Sequence, residues 1–127
     1  MNELSKFLRQ YIDAFSKGKS EDISSYYSFP LTIIDQNDVK NNVISVIKNK
    51  KQFYKYFNNL YAVLKLIHNY KKTKITKIAS INSNKNYGNA KVFASRLNYK
   101  NKTFQKLELI YFAKKVKKKY RIFCFVV

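Results

Sequence analysis

The sequence has one cysteine, one histidine, one proline, two glycines, no tryptophan and only seven acidic residues. With Cys124 alone, no internal disulfide can form. With His68 as the sole imidazole, a four-ligand zinc site would need ligands of other types. Nothing reads as a phosphate-cradling loop, a nucleophile elbow or a metal-binding cluster, so neither cofactor nor structural metal is expected. No stretch approaches the roughly 20 apolar residues that span a bilayer. Met1 to Leu8 also lack the apolar run of a signal peptide. A cytoplasmic protein with no membrane association is therefore expected.

What is present is aromatic, apolar and basic. In 127 residues, apolar types make up 46% and aromatics 17%, enough for one packed core despite the charge. Without tryptophan, that core must be built largely from 11 Tyr and 10 Phe. The net charge is +19 and uneven: residues 1–38 hold six acids and four bases, whereas 39–127 hold 22 bases and Glu108 as the one acid. A polycation of this kind displaces counterions from phosphates. Its cations are, however, 23 Lys and only three Arg, alongside 14 Asn, the profile of an AT-rich coding sequence. Base and phosphate readout favours the guanidinium fork, so nucleic-acid binding is expected to be weak and nonspecific.

Leu4, Phe7, Leu8, Tyr11, Ile12 and Phe15 recur at helical spacing, and Asn2 before them with Gly18 after them predicts a helix over 3–17. Ser20 would cap a short second helix with Glu21 and Asp22 in its first turn. Pro30 ends helical options, and the alternation Phe29, Leu31, Ile33 predicts a strand to Asp35, with a polar turn over 36–42 and a hairpin partner over 43–47. Asn49 with Gln52 three residues on resembles a capping box for a third helix. That helix carries Phe53, Tyr56, Phe57, Leu60, Tyr61, Leu64 and Ile67 on one stripe. Strands follow over 73–83, 88–99, 103–114 and 120–127, joined by connections short enough for antiparallel hairpins. No repeat, linker or second domain is visible, and 1–127 reads as one α+β domain.

In this order the chain resembles the nuclear transport factor 2-like superfamily, in particular its SnoaL-like and ketosteroid-isomerase-like bacterial members. The resemblance spans the whole sequence. Its anchors are Gln10-Tyr11-Ile12-Asp13-Ala14-Phe15 in the first helix, Tyr26-Tyr27-Ser28-Phe29-Pro30 at the first strand and Tyr120-Arg121-Ile122 opening the last, where Tyr120 stands for the usual Trp. It implies a cone-shaped, cystatin-like fold, with three N-terminal helices packed into a strongly bent antiparallel sheet of about six strands around a pocket. It implies no single activity, because the superfamily includes isomerases, dehydratases, cyclases, transport factors and non-catalytic pockets.

Two candidate catalytic residues follow from the resemblance. Tyr11, on the apolar stripe of helix one, matches the tyrosine that donates to an enolate oxyanion in the isomerase-like members. Asp35, 24 residues further on, stands at the separation of their catalytic aspartate and shares strand parity with Leu31 and Ile33. No Pro follows Asp35, and the isomerases' second acid falls here at Tyr111 or Phe112, so that acid is absent. The plainer readings are a core tyrosine with a satisfied hydroxyl and a strand-end aspartate turned to water. Tyr27, Phe29, Phe53, Phe57, Tyr61 and Tyr111 complete the expected wall of a pocket for a small, mostly apolar, oxygen-bearing molecule. His68, Glu108 and the Lys114–Lys119 hairpin read as surface features. Three functions suit the sequence: a small-molecule pocket with isomerase- or dehydratase-type proton transfer, a non-catalytic dimeric module, and a binder of anionic polymers or surfaces. A homodimer through the outer face of the sheet is expected, because the last strand is apolar on both sides.

Overall fold

The computed structural model of the chain describes residues 2–36 and 43–127, the side chains of Ser80 and Ile81 excepted. Helix α1 (Glu3–Lys17) starts at Asn2, whose side-chain oxygen accepts from the Ser5 amide at 2.7 Å, and it buries Leu4, Leu8, Tyr11, Ile12 and Phe15 on one face. It stops at Gly18, whose φ of 75° is left-handed. A Cβ there would run into the Tyr61 ring, so glycine is required both by the backbone and by the neighbour. Helix α2 (Ser20–Ser24) is capped by Lys19, with no side-chain hydrogen bond, rather than by Ser20.

Strand β1 (Tyr27–Asp35) starts two residues earlier than the alternation suggested and contains Pro30 at an exposed position. Its hairpin partner is β2 (Val43–Ile47), and the expected turn over 36–42 lies, from residue 37 on, outside the described residues. Helix α3 (Lys50–His68) is capped by Asn49, which accepts from the Gln52 amide at 3.0 Å, while Gln52 accepts from the Lys48 amide at 2.8 Å. Phe53, Phe57 and Leu64 are buried, but Ile67 is 69% exposed and lies outside the buried stripe.

Strands β3 (Tyr70–Ser83), β4 (Tyr87–Asn98), β5 (Thr103–Val116) and β6 (Lys119–Val126) form consecutive antiparallel hairpins. The sheet order is β2-β1-β6-β5-β4-β3. It is mixed rather than wholly antiparallel, because β1 and β6 pair in parallel. The cause is α3: its 19 residues carry the chain back over roughly 28 Å before β3 begins. β3 therefore runs the same way as β2, and three hairpins later β6 runs the same way as β1.

A register shift between Phe112 and Ala113 inserts Phe123 as an extra residue in β6. The bulge breaks the simple alternation of the last strand. Tyr120, Ile122 and Phe125 point inward, whereas Phe123 and Val126 are half-buried on the other side. One face of the curved sheet and the helices enclose a core in which Leu8, Ile23, Leu31, Tyr70, Val92 and Ile122 are fully buried. Truncating a side chain of this kind to Ala costs about 2–5 kcal/mol.

Candidate functional site

Three tyrosines from three elements meet inside the fold. Tyr11 is carried inward by the apolar face of α1, Tyr27 is the first residue of β1, and Tyr111 sits in β5 with Leu107, Leu109 and Ala113 on the buried parity. The Tyr11 and Tyr27 hydroxyls are hydrogen-bonded to each other, and their rings stand edge to face with centroids 5.5 Å apart. Tyr111 meets Tyr11 edge-on, ring centroids 5.6 Å apart. Phe53 backs Tyr27 at 4.8 Å and Phe125 backs Tyr111 at 5.9 Å.

These rings border a cavity of about 250 Å³, also lined by Phe57, Leu107 and Leu109 and by the polar residues Asp35, Tyr56, Thr73, Arg96 and Gln105. Burial pushes the phenols of Tyr11, Tyr27 and Tyr111 well above their usual value, so each keeps its proton at neutral pH. A protonated phenol in a dry site is a hydrogen-bond donor for a ligand oxygen. Tyr56 is raised mainly by burial, with the Arg96 charge opposing and the Asp35 charge adding.

Arg96 is the group that sequence reasoning missed. Its guanidinium stands 5.8 Å from the Phe15 ring centroid, and its Nη1 donates to Gln105 Oε1 at 2.8 Å. Its Nε is buried with no hydrogen-bond partner among the described residues. Burial lowers its pKa, opposed by the neighbouring tyrosines. A signal was available: Ala90, Val92 and Ala94 alternate inward along β4, and Arg96 continues that parity.

The family described as NTF2-like protein (DUF6841) matches residues 2–127. The chain belongs to that family. No curated protein matches it. Among solved structures it is similar to a Nostoc punctiforme protein of unknown function with a cystatin-like fold, at 11% identity and a TM-score of 0.74, covering 98% of this chain and 86% of that one. An NTF2-like protein of unknown function from Methylobacillus flagellatus is 20% identical, with a TM-score of 0.63 over 96% and 85% of the two chains. A Catenulispora acidiphila protein in complex with S-DNPA is 9% identical, with a TM-score of 0.71 over 97% and 87%. At such identities the likeness is one of fold.

In this NTF2-like protein, six of the eight expected site residues share one cavity: Tyr11, Tyr27, Asp35, Phe53, Phe57 and Tyr111. Phe29 and Tyr61 do not line it. Pairing between β1 and β6 is irregular from Tyr27 to Thr32, and Phe29 stands behind Phe53, ring centroids 5.8 Å apart. Tyr61 reaches across the Gly18 corner, where its hydroxyl donates to the Ser16 carbonyl at 3.0 Å.

The surface candidates stay at the surface. His68 stacks on Phe104 at 4.6 Å, and Glu108 pairs with Lys91 at 3.4 Å. In the Lys-rich hairpin, Lys117 and Lys118 take the left-handed turn positions while Lys115 pairs with Glu3 at 3.1 Å. No helix among the described residues is long and apolar enough to cross a membrane.

Proposed function

We propose that this NTF2-like protein holds a small, mostly apolar molecule bearing one or two oxygen atoms in the cavity bordered by Tyr11, Tyr27 and Tyr111. The observation that carries the reading is the convergence of three protonated, buried phenols on a space walled by Phe53, Phe57, Leu107, Leu109 and Phe125. Apolar walls with a few convergent polar groups are the usual make-up of a small-molecule site, and a volume of about 250 Å³ suits a compact ligand. The Catenulispora acidiphila protein of similar fold was solved in complex with S-DNPA. A thermal-shift screen of compact alicyclic and aromatic ketones, phenols and acids tests this against Leu109→Phe, which fills the cavity. Ligands that stabilise the wild type and not the variant support the pocket. A screen that stabilises neither, or both equally, contradicts it.

A second reading adds chemistry, and the observation favouring it is that Asp35 borders the same cavity as Tyr11. Asp35 would take a proton next to a carbonyl while Tyr11, backed by Tyr27 and Tyr111, donates to the oxyanion. A preorganised donor of this kind is worth about 3 kcal/mol in the transition state. Exchange of ligand α-protons into deuterium oxide, present in the wild type and lost in Asp35→Asn with binding retained, would support it. Unchanged exchange in that variant would remove the catalytic role.

We further propose a homodimer through the outer sheet face, where Ile110 and Phe112 of β5 stand beside Val126 and Cys124 of β6, with Phe123 adjacent. Nucleic acid remains a weak, nonspecific partner.

A further inference from the structure

We infer that one end of this protein docks on an anionic lipid bilayer, with Leu66 and Ile67 entering the interface and five lysines meeting the headgroups. The starting point is the last turn of α3. Ile67 keeps the apolar spacing of that helix yet is 69% exposed, and Leu66 beside it, at 84%, is the most exposed large apolar residue among those described. Val63, one turn earlier, is exposed as well. The β4–β5 turn is fastened to the same end: the Tyr99 amide donates to the Asn69 carbonyl at 3.1 Å, and Lys65 Nζ donates to the Tyr99 hydroxyl at 2.9 Å. Tyr99 is itself exposed. Apolar side chains gathered at a surface in this way mark a contact site.

The charges say what covers it. Lys65 in α3, Lys71 and Lys72 at the start of β3, and Lys100 and Lys102 in the β4–β5 turn all belong to this end. Lys71 Nζ donates to Asn101 Oδ1 at 2.9 Å, tying β3 to the turn. None of the five is in an ion pair among the described residues, where the pairs are Lys91–Glu108 and Lys115–Glu3. Aliphatic tips among unpaired lysines complement an anionic leaflet: the ammonium groups reach lipid phosphates on flexible stems while the tips enter the acyl boundary. A phenol such as that of Tyr99 suits the headgroup level. A nucleic acid would meet the lysines but leave Leu66 and Ile67 wet, because bases stack on aromatic groups. An acidic protein would favour an interface with few lysines at its centre. Peripheral docking needs no spanning helix, and it is independent of what the cavity holds.

The test is sedimentation of the full chain with vesicles of phosphatidylcholine, alone or with about 30% phosphatidylglycerol, in about 0.1 M salt, where the Debye length is about 10 Å. Partition onto the anionic vesicles should be at least ten-fold stronger. A lysine near such a surface is worth roughly five-fold, so Lys100→Gln with Lys102→Gln should weaken binding about ten-fold or more. Leu66→Gln with Ile67→Gln, which leaves the charge unchanged, should do the same. Lys85→Gln with Lys119→Gln removes two charges from the far end of the sheet, roughly 35–40 Å away along β4, and should change binding less than about three-fold. Leu66→Trp gives a direct readout, because the chain has no other tryptophan. Its emission should shift to the blue on anionic vesicles and be quenched by brominated acyl chains. No binding to anionic vesicles, or equal binding to neutral ones, would overturn the docking. So would a far-end pair as damaging as Lys100 and Lys102, a Leu66 and Ile67 pair that binds like the wild type, or a tryptophan that stays in water on the bound protein. A single-stranded oligonucleotide that outcompetes the vesicles and binds regardless of the Leu66 and Ile67 substitutions would overturn it in favour of nucleic acid.

Discussion

The Tyr11–Tyr27 pair gives the sharpest prediction. Both hydroxyls are buried and bond to each other, and Tyr27 has no other hydrogen-bond partner among the described residues. Tyr11→Phe therefore leaves the Tyr27 hydroxyl buried and unmatched, at a cost of about 1–3 kcal/mol. Tyr27→Phe likewise leaves the Tyr11 hydroxyl buried without its partner, at a similar cost of about 1–3 kcal/mol. Removing both hydroxyls leaves neither orphaned. The double variant should thus cost less than the two singles together, with a coupling energy of about 1 kcal/mol. At about 2.1 cal/mol/K of unfolding entropy per residue, a 127-residue chain changes by roughly 0.27 kcal/mol per degree, so Tyr11→Phe should lower Tm by roughly 4–11 °C. Thermal unfolding by circular dichroism on the four proteins measures the cycle. Additivity within about 0.3 kcal/mol would refute the reasoning.

Raising the pH should weaken the fold through the same phenols. Their folded pKa values lie above the unfolded value of about 10. The stability they confer is therefore full below that pH and is lost as pH rises beyond it, because the unfolded chain releases protons first. Denaturant midpoints that are flat from pH 8 to 9.5 and fall above it are expected; a rise would contradict the burial. Gly18→Ala should cost about 1–3 kcal/mol, since the left-handed φ and the Tyr61 ring both oppose a Cβ, and a loss under 0.5 kcal/mol by chemical denaturation would reject this account. Phe112→Asp should turn a dimer into a monomer in sedimentation equilibrium at moderate salt, and a wild type already monomeric at micromolar concentration would sink the proposed interface. Nucleic-acid affinity should fall with a log–log salt slope of about −4 to −5 for five neutralised phosphates. A tight, sequence-selective complex in about 0.2 M salt would contradict a compositional origin of the lysines.

Local signals carried most of the fold. The Asn2 and Asn49 caps and the Gly18 stop are decided by neighbours in sequence, and the structure has them at those places. What local pattern does not encode is direction and slippage. The parallel β1–β6 pairing depends on where α3 returns the chain, and the Phe123 bulge depends on how β6 meets β5. The same limit shaped the site. Tyr11 and Asp35 stood out because a helical stripe and a strand parity each pointed them toward the apolar side. Tyr61 was misplaced because its hydroxyl follows the Ser16 carbonyl rather than the stripe of its own helix. Arg96 was not singled out, although it continues the inward parity of Ala90, Val92 and Ala94 along β4. Only the approach of Phe15, Gln105 and Tyr56 shows that it remains inside.

The central claim, a ligand held by buried phenols, is tested most directly by tyrosine ring-carbon (Cζ) NMR on the protein titrated with a stabilising compound from the screen. The Cζ resonances of Tyr11, Tyr27 and Tyr111, assigned by single Phe substitutions, should move together with saturation. Those of the exposed Tyr87 and Tyr99 should stay fixed. Shifts confined to exposed tyrosines, or a buried cluster that does not respond at saturation, would contradict the account.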